Sequence, residues 1–238
     1  MHKIIIPLAP MRTSPSHKAE MCNELLYGES VELLDTIKEW AEVRCIDYEY
    51  RGWVLADALG ICNDEKAEKR FLYSETGIID SASNRMSIPR GSILRSENIL
   101  EGDAHPTIDF DSELVISLAK QYLNAPYRWG GRSPFGIDCS GLTQMVFTLC
   151  GIQIPRDASQ QATYGQSVAF IQEAQSGDLA FFGDSEDSIT HVGIIMDNNE
   201  IIHASGRVRI DKIDHQGIYN NDTKKYSHKL RLIKRFEI

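Results

Sequence analysis

Tyr127-Arg128-Trp129-Gly130-Gly131, followed by Asp138-Cys139-Ser140-Gly141, is the stretch on which the reading of this chain turns. Downstream stand His191, opening His191-Val192-Gly193-Ile194-Ile195-Met196, and His203 in Ile201-Ile202-His203-Ala204. Cys139 falls at the start of a helical run of apolar residues, Leu142, Met145, Val146, Leu149 and Cys150, which Gly151 ends. Both histidines fall in short apolar runs that read as strands. A cysteine at a helix start with two strand-borne imidazoles suits an activated thiolate, whose chemistry is attack on an amide or ester carbonyl.

Only the thiolate attacks, and a free thiol titrates near ~8.5. A helix N-terminus offers about 0.3–1 kcal/mol to an anion, so the helix lowers the thiol by roughly one unit at most. The remainder has to come from an imidazole, and His191 is the candidate base. His203 follows twelve residues later, across Asp197-Asn198-Asn199-Glu200. Side chains alternate between sheet faces, so both imidazoles share a face only if the turn skips an odd number of residues. A three-residue turn over 197–199, with Asn199 left-handed and 196 paired with 200, meets that condition, whereas a two-residue Asn198-Asn199 turn puts the imidazoles on opposite faces.

Blander readings stand beside this one. A cysteine at a helix start is commonly a core residue, and Tyr127 and Trp129 suit a core as well as a site. Two histidines across a turn, with Cys139, would also suit a metal. Asp138 reads either as a helix cap or as a substrate contact. Arg156 reads as a structural charge at a helix entrance in preference to a recogniser of a substrate carboxylate. The other histidines, His2, His17, His105, His215 and His228, sit in polar contexts and are expected to be solvated. Cys22, Cys45, Cys62 and Cys150 form no C-x-x-C spacing and are expected to be buried thiols in a reducing compartment.

The 238 residues are 42% hydrophobic and 25% charged, the balance of a soluble globular protein. A net charge of −9 disfavours nucleic acid and anionic membrane as partners. Ile4-Ile5-Ile6 is stopped by Pro7, so the start carries neither a membrane span nor a signal-peptide core, and a cytoplasmic address is the expectation. Strands are expected at 1–7, 29–34, 40–47 and 53–56, which suggests a small five- or six-stranded barrel over 1–62. A second strand-rich stretch occupies 63–105, and helices followed by antiparallel strands over 106–238 make an α+β layout.

Trp40-Ala41-Glu42-Val43-Arg44 with Gly52-Trp53-Val54 resembles a bacterial SH3-like domain, and 63–105 reads as a second, degenerate barrel with a linker. The elements Tyr127-x-Trp129-Gly130-Gly131, Asp138-Cys139-Ser140-Gly141, Pro155-Arg156-Asp157-x-Ser159-x-Gln161, Gly177-Asp178-Leu179, His191-Val192-Gly193 and His203-Ala204 resemble the NlpC-type cysteine peptidases. That resemblance implies a papain-like fold, with Cys139 as nucleophile, His191 as general base and His203 as the group that orients it. Barrel and catalytic domain together are similar to the γ-D-glutamyl-L-diamino acid endopeptidases. The implied partner is a small murein peptide with a free N-terminal L-alanine, cut through an acyl-enzyme by a monomer. Substrate contacts implied by the resemblance are Tyr127, Asp138, Ser140, Ser159, Glu20 and Tyr50. No metal and no cofactor are expected. A non-catalytic binder of wall peptides, or an acyltransferase on the same three residues, is the alternative.

Overall fold

A computed structural model describes residues 1–63, 66–81, 84–108, 110–186 and 188–236. The chain forms two compact units. One comprises Met1–Ile108 with Trp129–Phe135; the other comprises Asp109–Arg128 with Gly136–Ile238.

In the first unit, seven strands make one antiparallel sheet ordered β3-β2-β6-β5-β4-β1-β7. They are β1 (His2–Ile4), β2 (Leu8–Arg12), β3 (Met21–Leu26), β4 (Ser30–Ile37), β5 (Trp40–Cys45), β6 (Arg51–Leu55) and β7 (Leu59–Ile61). Period-two patterning builds its core: Ala41, Val43 and Cys45 of β5 point inward with Met11, Val31 and Val54, while Glu42 and Arg44 are half-exposed. Three of these strands, β2, β3 and β7, lie outside the sequence expectation. Pro10 masks β2, since proline is rare in paired strands. Asn23 and Glu24 mask β3, because both are fully buried where an alternating pattern should show apolar residues. Their partners are distant in sequence. Arg132, 108 residues on, binds Glu24 through its backbone N–H (3.1 Å to Oε2) and through Nη1 (3.1 Å to the carbonyl). The same Nη1 lies 2.8 Å from Glu29 Oε1 and donates to the Tyr48 hydroxyl at 2.9 Å.

Residues 70–105 add two three-stranded sheets, β10-β9-β12 and β11-β8-β13. Their strands are β8 (Arg70–Leu72), β9 (Thr76–Ser81), β10 (Asn84–Pro89), β11 (Ile93–Leu94), β12 (Asn98–Glu101) and β13 (Ala104–His105). Buried Arg95 ties them to the barrel through Gly28 O and Ser30 Oγ, both at 2.8 Å. β14 (Arg132–Ser133) completes the first unit.

The second unit is α+β. It holds α1 (Ser112–Lys120), β15 (Gly136–Ile137), α2 (Cys139–Leu149), α3 (Ala158–Gln161) and a sheet ordered β16-β22-β17-β18-β19-β20-β21. The sheet strands are β16 (Gln166–Val168), β17 (Leu179–Ser185), β18 (Ser188–Met196), β19 (Glu200–Ser205), β20 (Arg207–Asp214), β21 (Gly217–Asn220) and β22 (Lys225–Arg235). Long β22 pairs with β21 through its first half and with β17 through its second, closing six antiparallel strands on themselves. Every residue of α2 is buried, because α1, β18 and β19 all pack against it. Asp111 caps α1, and Gly151, at φ +80°, ends α2 as the sequence suggests.

Candidate active site

Asp138 is the N-cap of α2, and its Oδ1 accepts the Gly141 N–H at 2.7 Å. Capping satisfies an orphan helix donor and fixes the first turn, so Cys139 is held as the first helical residue. Asp138 is also one half of a buried ion pair. Arg156 donates Nη1 to Oδ1 at 3.0 Å and Nη2 to Oδ2 at 2.6 Å, with 1% and 7% side-chain exposure for Arg156 and Asp138. Nη1 reaches Ser140 Oγ as well, at 2.8 Å. Arg156 therefore has the structural role that its place after Pro155 suggests. Gln161 reinforces the same turn, donating to the Ser140 carbonyl at 3.1 Å and accepting from Thr143 Oγ1 at 2.7 Å.

Cys139 is 5% exposed. Burial, then the charge of Asp138, pushes its thiol up to about 12, against hydrogen bonds from the Val192 and Ser140 backbones and the charge of Arg156. His191 is pushed the other way, well below the ordinary imidazole range, by burial and then by His203 and His228. In the ligand-free site burial favours the uncharged form of both groups. Desolvation opposes the thiolate that the sequence suggests, and it is missing from a reckoning that sets the helix N-terminus against solvent values.

The β18–β19 hairpin pairs Met196 with Glu200 and Gly193 with His203, so the connection is the three-residue turn 197–199. Asn198 and Asn199 both adopt positive φ, +60° and +56°. The register puts both imidazoles on one face, with His191 Nε2 2.9 Å from His203 Nδ1. Gly193 lies opposite His203; a Cβ there would sit 2.9 Å from the His203 Cβ. Val192, whose backbone touches the Cys139 sulfur, follows His191 directly. Tyr127, half-buried, bridges to Ile137 beside the cap, and its phenol is pushed up by burial and then by Cys139 and Asp138. It remains a protonated donor.

Three groups here escaped the sequence reading. His203 Nε2 lies 3.1 Å from Asp211 Oδ2, and both side chains are fully buried. Arg209 grips the same carboxylate, Nε to Oδ2 at 2.7 Å and Nη2 to Oδ1 at 2.9 Å. The signal was an Arg-x-Asp pair on one face of β20, with a carboxylate at an inward strand position. His228 is the third: it is half-buried and stacked on His191, ring centroids 4.1 Å apart and planes 20° apart. Its expected solvation is corrected, since β22 carries it over β17 to the site.

His191, His203 and His228 are the group that places three ligand nitrogens within 4.8 Å of one another among the described residues. Their geometry does not suit a metal. His191 and His203 spend a nitrogen each on their mutual hydrogen bond. Stacked rings cannot both aim in-plane lone pairs at one ion.

Of the residues singled out in the sequence, Tyr127, Asp138, Cys139, Ser140, Ser159, His191 and His203 lie in the second unit, and Glu20 and Tyr50 in the first. Ser159 is exposed on α3. Glu20 is exposed and accepts the Trp129 indole N–H at 2.7 Å. Tyr50 packs against the barrel core.

Comparison with known proteins agrees with this layout. Residues 124–227 match the NlpC/P60 family, and residues 11–59 match the bacterial dipeptidyl-peptidase SH3 domain. A dipeptidyl-peptidase 6 of Lysinibacillus sphaericus is 30% identical over 92% of this chain and 94% of its own. A γ-D-glutamyl-L-lysine dipeptidyl-peptidase of Bacillus subtilis is 38% identical over 39% of this chain, but that match spans only 32% of the relative. In fold, an NlpC/P60 family protein from Bacillus cereus superposes over 99% of both chains with a TM-score of 0.85 at 18% identity. The chain belongs to the NlpC/P60 family of cysteine peptidases and carries a bacterial dipeptidyl-peptidase SH3 domain ahead of the peptidase domain.

Proposed function

We propose that this chain cleaves the bond between γ-D-glutamate and the L-diamino acid of murein peptides that carry a free N-terminal L-alanine. The observation that carries the reading is the capped, buried Cys139 at the head of α2, the helix packed on the β18–β19 hairpin that holds the His191–His203 pair. The dipeptidyl-peptidase-type SH3 domain and a relative of that name along nearly the whole chain support the choice of substrate.

His191 takes the thiol proton as the sulfur attacks the carbonyl carbon, so the ion pair forms only on the way to the transition state. The Cys139 backbone N–H and the Tyr127 hydroxyl donate to the developing oxyanion. The His191 imidazolium then protonates the departing α-amine of the diamino acid, leaving an acyl-enzyme. Water, activated by the again-neutral His191, attacks the thioester and releases L-Ala-γ-D-Glu with the thiol restored. Arg156 matches the charge of Asp138, so Asp138 and Ser140 first hold the nucleophile's turn and only secondarily meet the substrate ammonium.

Free L-Ala-γ-D-Glu-L-Lys and its N-acetylated form, incubated with enzyme and read by mass spectrometry, test the proposal. The free peptide should yield the dipeptide plus lysine, the acetylated one should stay intact, and Cys139→Ala should abolish turnover. Equal rates on both peptides would sink the free-amine requirement. Inertness toward every murein peptide would favour a wall-peptide binder instead.

A further inference from the structure

We propose that Asp211, clamped by Arg209, is a positioning residue that sets the tautomers of both site histidines and leaves His191 with its lone pair on Nδ1. What that lone pair does rests on the peptidase reading above; the tautomers themselves do not.

Donors surround the carboxylate on every side. Oδ2 faces His203 Nε2 (3.1 Å) and Arg209 Nε (2.7 Å). Oδ1 accepts from Arg209 Nη2 at 2.9 Å and from the Asn221 backbone N–H at 2.8 Å. Burial alone would raise this carboxyl, but the hydrogen bonds from His203, Arg209 and Asn221 outweigh it and hold it down to about 2. Asp211 is therefore ionised, and an ionised carboxylate only accepts. The proton of the His203–Asp211 bond consequently lies on His203 Nε2.

At a pH where both rings are neutral each carries one N–H, and His203 Nδ1 is then an acceptor. The 2.9 Å contact between His203 Nδ1 and His191 Nε2 then takes its proton from His191. His191 Nδ1 is left bare. Two imidazoles without Asp211 could satisfy that contact equally well with both protons shifted. In the shifted pair His191 carries its proton on Nδ1 and has no lone pair there to receive another. On the peptidase reading the bare nitrogen that Asp211 secures takes the proton: the S–H bond of Cys139 breaks, a new N–H bond forms at His191 Nδ1, and the electron pair remains on sulfur. The same carboxylate offsets the positive charge that then resides on the histidine pair.

Asp211→Asn tests this with little change of shape. Oδ1 meets two fixed donors and Oδ2 only one, Arg209 Nε, because the His203 proton can move to its other nitrogen. The amide oxygen therefore keeps the Oδ1 place and the NH2 group turns toward His203, giving up the Arg209 Nε bond. In wild-type protein labelled with 15N-histidine, at about pH 8 where free imidazoles are neutral, spectra should show His203 protonated on Nε2 and bare on Nδ1. In Asp211→Asn the pattern should invert. On the tripeptide, kcat should fall between about tenfold and about 10⁴-fold with KM within about twofold, the upper figure being the wrong-tautomer loss of the serine-protease triad. A wild-type His203 protonated on Nδ1 overturns the proposal, and that measurement needs neither a substrate nor a folded variant. A folded Asp211→Asn with unchanged spectra and unchanged kcat overturns it too. Inertness of the wild type toward all murein peptides would count against the peptidase reading, with the spectra still deciding this one.

Discussion

Arg156 shows how much of the site rests on a side chain that takes no part in the chemistry. Its guanidinium is 1% exposed and contacts both carboxylate oxygens of Asp138 together with the Ser140 hydroxyl. A buried pair of this kind contributes modest net stability, but removing one partner strands the other charge in a low-dielectric interior. Arg156→Ala should therefore cost about 3–5 kcal/mol of unfolding free energy in the second unit. It should also push the Cys139 thiol further up, since the Asp138 charge beside it would stand uncompensated. Urea titration followed by circular dichroism checks the first effect, and the pH dependence of iodoacetamide alkylation checks the second. A loss below about 1 kcal/mol, the scale of an exposed pair, would show that Asp138 is solvated. Tyr127 is the complementary case: half-buried, with a phenol kept protonated, it lies close enough to Cys139 and Asp138 to feel both charges.

Among the elements, the β18–β19 hairpin decides whether the two imidazoles meet. Its register pairs Gly193 directly with His203, and the strands approach so closely that an added Cβ would lie 2.8 Å from Ile201 Cδ1 and 2.9 Å from the His203 Cβ. Gly193→Ala should shift His203 and lengthen its 2.9 Å contact with His191. Overpacking of this sort costs about 1–3 kcal/mol, and kcat should fall at least tenfold while the protein stays folded, as stopped-time product assays and thermal melts would show. Wild-type kcat in a folded Gly193→Ala would mean that the base tolerates displacement. This hairpin was partly legible in the sequence: local rules narrow the connection to a two- or a three-residue turn, and the pairing of Met196 with Glu200 is the three-residue one that puts both imidazoles on one face. The cap at Asp138 and the end of α2 at Gly151 were legible through local rules too. What local rules cannot supply is a partner that arrives from another strand. His228 reads as solvated in the sequence until β22 brings it against His191, and Asp211 and Glu24 meet His203 and Arg132 only in the fold. Desolvation was invisible too, and it favours the uncharged thiol against the thiolate that the sequence suggests.

For the molecule as a whole, the buried histidines make acid the condition to which the second unit should be most sensitive. Burial first, then His203, holds His228 down to about 4, and burial, His203 and His228 hold His191 well below the ordinary imidazole range. An unfolded histidine titrates near ~6.5, so between that value and about 4 the unfolded chain binds protons that the folded chain refuses. The stability these groups contribute is fully present above the unfolded value and is lost as pH falls toward the folded one. Asp211, held down to about 2, gives up its own contribution only at lower pH, so the window above 4 isolates the imidazoles. Trp40, Trp53 and Trp129 all lie in the first unit, which makes tryptophan fluorescence a reporter of the wrong half. Hydrogen exchange of the β18 and β19 amides reads the half that matters. Protection there should fall steadily as pH drops from about 6.5 to about 4.5, after correction for intrinsic exchange. Because His228 is only half-buried and solvent screens part of its shift, His228→Asn should flatten the slope without abolishing it. His191→Asn should flatten it more. A β18–β19 hairpin equally protected at both ends of that range would mean that the two rings take up protons as freely inside the fold as outside it.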